Sequence, residues 1–177
     1  MRILENISSI QRNIDMSTDL EKLLLTWPSP FLTDQELSVA FGRSHKQRRH
    51  DAVKYAIRKN RLVPMRRGVY VIPSPYTSKA FDPFMAAQLL LGPSYISFES
   101  ALSFHGWIPE AVYTTTSASA KRGRVFKTPK GVFRYLHVPE TSFYLEVARV
   151  SNDAGSFLVA ELKWTPSFRP KERQDRL

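Results

Sequence analysis

Cysteine is missing from all 177 residues. That excludes disulfides, thiolate metal sites and a cysteine nucleophile, and it suits a reducing compartment. Long apolar runs are missing too: none approaches the roughly 20 residues that a bilayer-spanning helix needs. The opening stretch, "MRILENISSIQRNI", has neither the apolar centre nor the cleavage site of a secretion signal, so the expectation is a cytoplasmic protein with no membrane role. With only 7 glycines, the chain offers no Gly-rich phosphate loop, and there is no G-x-S-x-G nucleophile motif. The four histidines, His45, His50, His105 and His137, are scattered. His45 and His50 are neighbours, but their spacing does not share one helix face, so neither a metal centre nor a cofactor is expected. His105, just before Gly106, reads as the C-terminal cap of a helix.

Acidic residues are scarce as well. Sixteen Asp and Glu stand against 26 Lys and Arg, giving a net charge of +10 and a pI near 10.0. The partner should therefore be acidic: nucleic acid, an anionic membrane surface or an acidic protein. The charge is concentrated in two places. From Gly42 to Gly68 there are ten Lys or Arg against Asp51 alone, and from Lys121 to Arg134 six basic residues and no acid. The rest of the chain is close to neutral or slightly acidic. A hydrophobic content of 42% is enough for a core, and the length suits one ordinary domain or two small ones.

Periodicity supplies the elements. Ile3, Leu4, Ile7, Ile10 and Ile14 repeat at helical spacing, as a helix packing on its own domain or a dimer seam. Thr18 and Glu21 are spaced as a capping box, and "WPSP" ends that helix at Trp27. Thr33 and Glu36 repeat the box before Leu37 and Ala40, and Gly42 is a stop. After a tight "GRS" turn, Ser44 caps a third helix. "RLVPMRRGVYVIP" then reads as two short strands around an "RRG" turn. Helix, helix, tight turn, helix, hairpin is the order of a winged helix-turn-helix.

On the third helix Ala52, Val53, Ala56 and Ile57 form an apolar face, with Arg49 awkwardly on the same side. The opposite face collects Gln47, Arg48, Asp51, Lys54, Tyr55 and Arg58, which is the division a major-groove recognition helix needs. Gln47 and Arg48 suit adenine and guanine edges. Lys54, Arg58 and Lys59 suit phosphates, as do Arg43 and Ser44 at the turn. Arg66 and Arg67 would reach a flanking groove or backbone from the hairpin. Asp51 would repel phosphate or accept from cytosine.

"PSPYTSKAF" has linker composition. Beyond it Asp82 caps a helix with Pro83 at its first position and Gly92 at its end. "SYISFESALSFHG" holds a short strand, a Ser97 cap and another helix. "AVYTTTSAS" reads as a strand, and "GRVFKTPKGVFRYLHV" as a hairpin turning at "TPKG". Phe104, Trp107 and Tyr113 read as core. Lys121, Arg122, Arg124, Lys127, Lys130 and Arg134 make the hairpin basic, with Arg122 and Arg124 on one strand face. They read as an edge protected by charge or as a functional surface. Asp153 and Glu161-x-Lys163 match the acid and E-x-K pattern of metal-dependent nucleases, a pattern common by chance. The predicted architecture is α+β: a winged helix-turn-helix over 1–74, a linker over 75–81, a mixed α/β domain over 82–165 and a charged tail over 166–177.

The stretches "RRGVYVIP", "SYISFESALSFHGWIPE" and "KRGRVFKTPKGVFRY", in this order and spacing, resemble AbiEi-type antitoxins, the transcriptional regulators of type IV toxin–antitoxin systems. The resemblance runs from Thr33 to Pro139. It implies a winged helix-turn-helix that binds inverted repeats in its own promoter and represses transcription, as a monomer or dimer on DNA. It also implies an α/β antitoxin domain that counteracts a nucleotidyltransferase toxin without a stable complex, often in phage defence. The basic residues from Lys121 to Arg134 then become an antitoxin surface or an added DNA contact, and the protein is not an enzyme. A metal-dependent nuclease and a toxin-contacting module without a DNA role are the alternatives. The family continues past a "GSFLVAE"-like region with a Pro-Glu-Lys-Ala-Leu-like segment and further helices, where this chain has "LKWTPSFRPKERQDRL". The expectation is an incomplete antitoxin domain with apolar sheet exposed around Phe157, Leu158 and Val159.

Overall fold

A helical stretch over residues 18–26 (α1) begins the part of the chain that the computed structural model describes, namely residues 18–42, 46–109, 113–143, 146–153 and 155–161. The isoleucine repeat over residues 3–14, Arg43 and Ser44, Lys163 and the 166–177 tail lie outside it. Leu20 and Leu24, one turn apart on α1, are buried. The Trp27 indole, where the helix was expected to stop, donates to the Phe31 carbonyl at 2.8 Å.

Phe31 opens a strand the sequence reading missed, β1 (Phe31–Thr33). Thr33 then caps α2 (Asp34–Ala40) through the predicted box: its hydroxyl accepts from the Glu36 amide at 3.3 Å, and the Glu36 carboxylate accepts from the Thr33 amide at 2.7 Å. Next come α3 (Lys46–Arg58), β2 (Val63–Arg66) and β3 (Val69–Val71), in a three-stranded antiparallel sheet of order β1-β3-β2. The turn between β2 and β3 requires Gly68. Its φ is +79°, and a Cβ there would stand 3.1 Å from an Asp34 carboxylate oxygen.

Alternation along this small sheet sends side chains both ways. Leu32, Tyr70 and Ile72 face α1, α2 and α3, packing with Leu24, Leu37, Val53 and Ala56. Phe31, Val69 and Val71 join a second cluster with Leu90, Phe133, Tyr135 and Phe157. The stretch 75–81 contributes Phe81 to this cluster, its ring 5.7 Å from that of Phe31.

The second cluster belongs to a six-stranded sheet of order β6-β7-β5-β4-β9-β8. Its elements are α4 (Pro83–Leu90), β4 (Ser94–Ile96), α5 (Phe98–Phe104), β5 (Thr114–Ser119), β6 (Arg124–Thr128), β7 (Gly131–His137), α6 (Glu140–Phe143), β8 (Val147–Asn152) and β9 (Gly155–Ala160). The pairs β4–β9 and β5–β7 are parallel and the rest antiparallel. Asp82 caps α4 as expected, accepting from the Phe84 amide at 2.7 Å, with Pro83 at the first position. Ser97 stands at the N-cap of α5 but makes no capping bond, because Phe98 enters the helix at φ +54°, outside the helical range that orients the first-turn amides.

Three burial expectations need correction. Phe157 and Val159 are buried, because Phe84 of α4 and Phe104 of α5 stack around Phe157 at 5.3 and 5.7 Å. Trp107 and Tyr113 are 41% and 91% exposed, since both stand in the connection from α5 to β5 rather than on an element. Phe104 is 39% exposed, though one ring edge packs inward. Among the described residues no helix is long and apolar enough to cross a membrane.

Candidate nucleic-acid interface

Helix α3 buries Ala52, Val53 and Ala56 against the first cluster, as the wheel required. The positions farthest from that face are 47, 51, 54 and 58, spaced by four, three and four residues and so forming one stripe. Gln47, Lys54 and Arg58 are exposed there and Asp51 is half-buried. Arg48 is half-buried on the flank, about two turns from Tyr55 on the same side, and does not share the centre of the stripe. The Tyr55 ring carries Lys59 Nζ at 5.9 Å and the Arg61 guanidinium at 5.8 Å. Arg61 is tied further, by an ion pair with Glu21 at 2.9 Å. Arg49, which the wheel placed on the inner side, resolves that conflict by bonding the Gly42 carbonyl across the turn.

Within the stripe, the Gln47 side-chain amide nitrogen lies 3.2 and 3.3 Å from the two Asp51 carboxylate oxygens. Asp51 therefore has a neutral donor as its partner, four residues away on its own helix. Neither reading of Asp51 from the sequence, phosphate repulsion or a cytosine contact, includes this bond.

The β2–β3 hairpin brings Arg66 and Arg67 to an exposed turn. Arg67 lines a cleft of about 590 Å³ with Asp34, Lys46, Gln47, His50 and Tyr70. The hairpin tip and the first turn of α3 thus border one space. At its floor the Tyr70 hydroxyl donates to Asp34 at 3.0 Å. Burial, then the Asp34 charge, pushes the Tyr70 hydroxyl up to about 12. His50 and Lys46 belong to this rim, and the sequence reading missed both as interface residues. The available signal was their spacing: His50 is one turn before Lys54 on the polar side.

The second basic cluster is less coherent. Lys121 bonds the Gly92 carbonyl, and Lys130 lies 5.8 Å over the Phe81 ring, so both reach to segments on either side of α4, outside the hairpin. Arg122 precedes β6 and is not in the strand, which corrects the expectation that it shares a strand face with Arg124. Val125 pairs with Arg134 and Lys127 with Val132, and directly opposed residues share a face, so Lys127 and Arg134 stand together among valines. Arg124 opposes Tyr135 on the other face. Arg66 of the first hairpin is close enough to Tyr135 for its charge to oppose the upward shift that burial imposes on that hydroxyl. The two hairpins are therefore neighbours.

Compared with known families and curated proteins, the chain finds no match. Of the nuclease pattern, the two acids that the structure describes stand apart. Asp153 lies in the β8–β9 turn and Glu161 just past the far end of β9, roughly 20 Å apart at about 3.3 Å per residue, while Lys163 is outside the described residues. Among the described residues no three His, Asp or Glu side chains gather where they would hold a metal ion. His105 is the C-cap of α5, as expected: its backbone N–H donates to the Ala101 carbonyl at 3.0 Å, and its ring nitrogen lies 2.9 Å from the Ala160 carbonyl, tying that helix end to β9.

Proposed function

We propose that the chain binds double-stranded DNA through a winged helix-turn-helix made of α1, α2, α3 and the β2–β3 hairpin, and that it acts as a transcriptional autorepressor. One observation carries this reading. The stripe Gln47, Asp51, Lys54 and Arg58 faces outward from a helix whose other side is buried, and the exposed Arg67 turn borders the same cleft. An isolated basic helix face explains the charge but not the hairpin beside it. A major groove accepts one helix, and the arginines of the adjoining turn would then meet flanking phosphates.

The AbiEi-type resemblance supports placing this repressor in a type IV toxin–antitoxin operon. In that setting the chain recognises inverted repeats in its own promoter and counteracts a nucleotidyltransferase toxin without a stable complex. The six-stranded sheet region would carry the antitoxin role. The test is fluorescence anisotropy of the protein against the duplex upstream of its own start codon, with a scrambled duplex as control, at about 150 mM salt. The expected preference is of order 10³-fold. Equal, salt-sensitive binding to both duplexes would leave only a basic surface and remove the repressor reading.

A further inference from the structure

The Gln47–Asp51 contact occupies the N-terminal half of the outward stripe of α3, and its chemistry is directional. A carboxylate only accepts, so the amide nitrogen, not the oxygen, must point at Asp51; the reverse would set acceptor against acceptor. The Gln47 carbonyl oxygen and its second N–H are then left for a ligand. One acceptor beside one donor is the edge that matches adenine N6 and N7 in the major groove. Guanine presents two acceptors, O6 and N7. An amide that has given one N–H to Asp51 cannot offer it two donors, and the neighbouring carboxylate repels both acceptors.

We propose that Asp51 is a specificity-positioning residue. It fixes the orientation of the Gln47 amide, so that α3 reads adenine and rejects guanine at one position of its DNA site. This rests on the DNA-binding reading above. It also explains an acid in the middle of a basic stripe: Asp51 lowers general DNA affinity and adds discrimination. Among the described residues the ion pair formed is Arg61 with Glu21, so Asp51 is not spent on a neighbouring cation.

The experiment has two stages. First, the full chain selects binders from a randomised duplex pool. Second, duplexes differing at a single base pair of the selected site are titrated against the wild type, Asp51→Asn, Gln47→Ala and the double variant. The expected wild-type preference for adenine over guanine at one position is on the order of tenfold. Asp51→Asn should bind all duplexes more tightly, because one repelling charge is gone, and should lose most of the preference. Gln47→Ala should lose it too, and adding Asp51→Asn to Gln47→Ala should change the ratio no further, since the carboxylate acts through the amide. Failure of the pool to yield any preferred sequence overturns the DNA-recognition reading itself. A preferred sequence whose base ratios are unchanged in Asp51→Asn, or changed equally in both backgrounds, overturns the positioning role alone. Both side chains lie on the helix surface, and far-ultraviolet circular dichroism confirms that the variants are folded.

Discussion

The two basic segments look alike in sequence and differ in space. On α3 a rigid helix with one buried face forces its polar residues into a single stripe, and the Arg67 turn extends that stripe across a cleft. On the β6–β7 hairpin only three of the six cations stand in strands, and alternation splits those three between two faces. Lys121 and Lys130 bind their own fold, Arg124 faces one way, and Lys127 and Arg134 face the other beside Val125 and Val132. A run of charge becomes a surface only when the period of its secondary structure collects it. A helix at three- and four-residue spacing does so; a strand divides it.

The contrast is sharpened first by asking whether these are separate bodies. Phe31, from the small sheet, packs with Phe81 and lies in the cluster that holds Phe133 and Tyr135. Phe31→Ala should cost about 3–5 kcal/mol in chemical unfolding, because it deletes a buried ring and leaves a cavity at the join. If the cluster couples the two sheets, intrinsic fluorescence and circular dichroism should report one shared transition in the wild type. Two separated transitions would mean that the α3 surface and the hairpin surface move independently.

Binding is next. Replacing Lys54 and Arg58 together by Ala should weaken binding to any duplex about tenfold or more and flatten the salt slope by about 1.8, at roughly 0.9 per phosphate contact. Replacing Lys127 and Arg134 together should do less, with a change of slope below about 0.9, because their face is shared with valines and lies on the second sheet. Equal changes in the two variants would show that both cationic surfaces contact one duplex and would erase the contrast. No change for Lys127 and Arg134, combined with loss of protection in a toxin-rescue assay, would assign the hairpin to the antitoxin role.

Much of the helical half was legible, and the reason is local. A capping box, a glycine stop, an Asp–Pro helix start and an Arg-Arg-Gly turn each depend on residues within one turn of one another, and Thr33, Gly42, Asp82 and Gly68 all act where they were expected to. The reading failed where a partner lies far away in the chain. β1 is a strand only because β3 pairs with it, some 38 residues later at Leu32↔Tyr70. Phe157 is buried only because α4 and α5 cover it, and Tyr113 is exposed although its type suggested core. The Gln47–Asp51 contact is a different case. Its spacing of four is visible in the sequence, but spacing alone does not say whether two polar side chains one turn apart bond each other or point separately to solvent.

Two tyrosines carry the comparison into pH, with the smallest effect. Tyr135, on β7 of the hairpin, donates to the Ala87 carbonyl at 2.6 Å in a buried setting, so Tyr135→Phe should cost about 1–2 kcal/mol at neutral pH. Tyr70 sits under the α3 cleft, where its hydroxyl is held up to about 12 by burial and then by Asp34. In the unfolded chain a tyrosine ionises near 10. Between about 10 and about 12 the unfolded state therefore binds fewer protons than the folded one, and stability must fall as pH rises. Below that window the group adds no slope. Burial shifts Tyr95 and Tyr135 in the same direction, so Tyr70→Phe should make the alkaline loss shallower without abolishing it. Denaturant midpoints measured from pH about 9 to about 11.5 test this. An identical fall in wild type and Tyr70→Phe would show that the proton on Tyr70 is not held by the fold, against the burial and the Asp34 bond at the cleft floor.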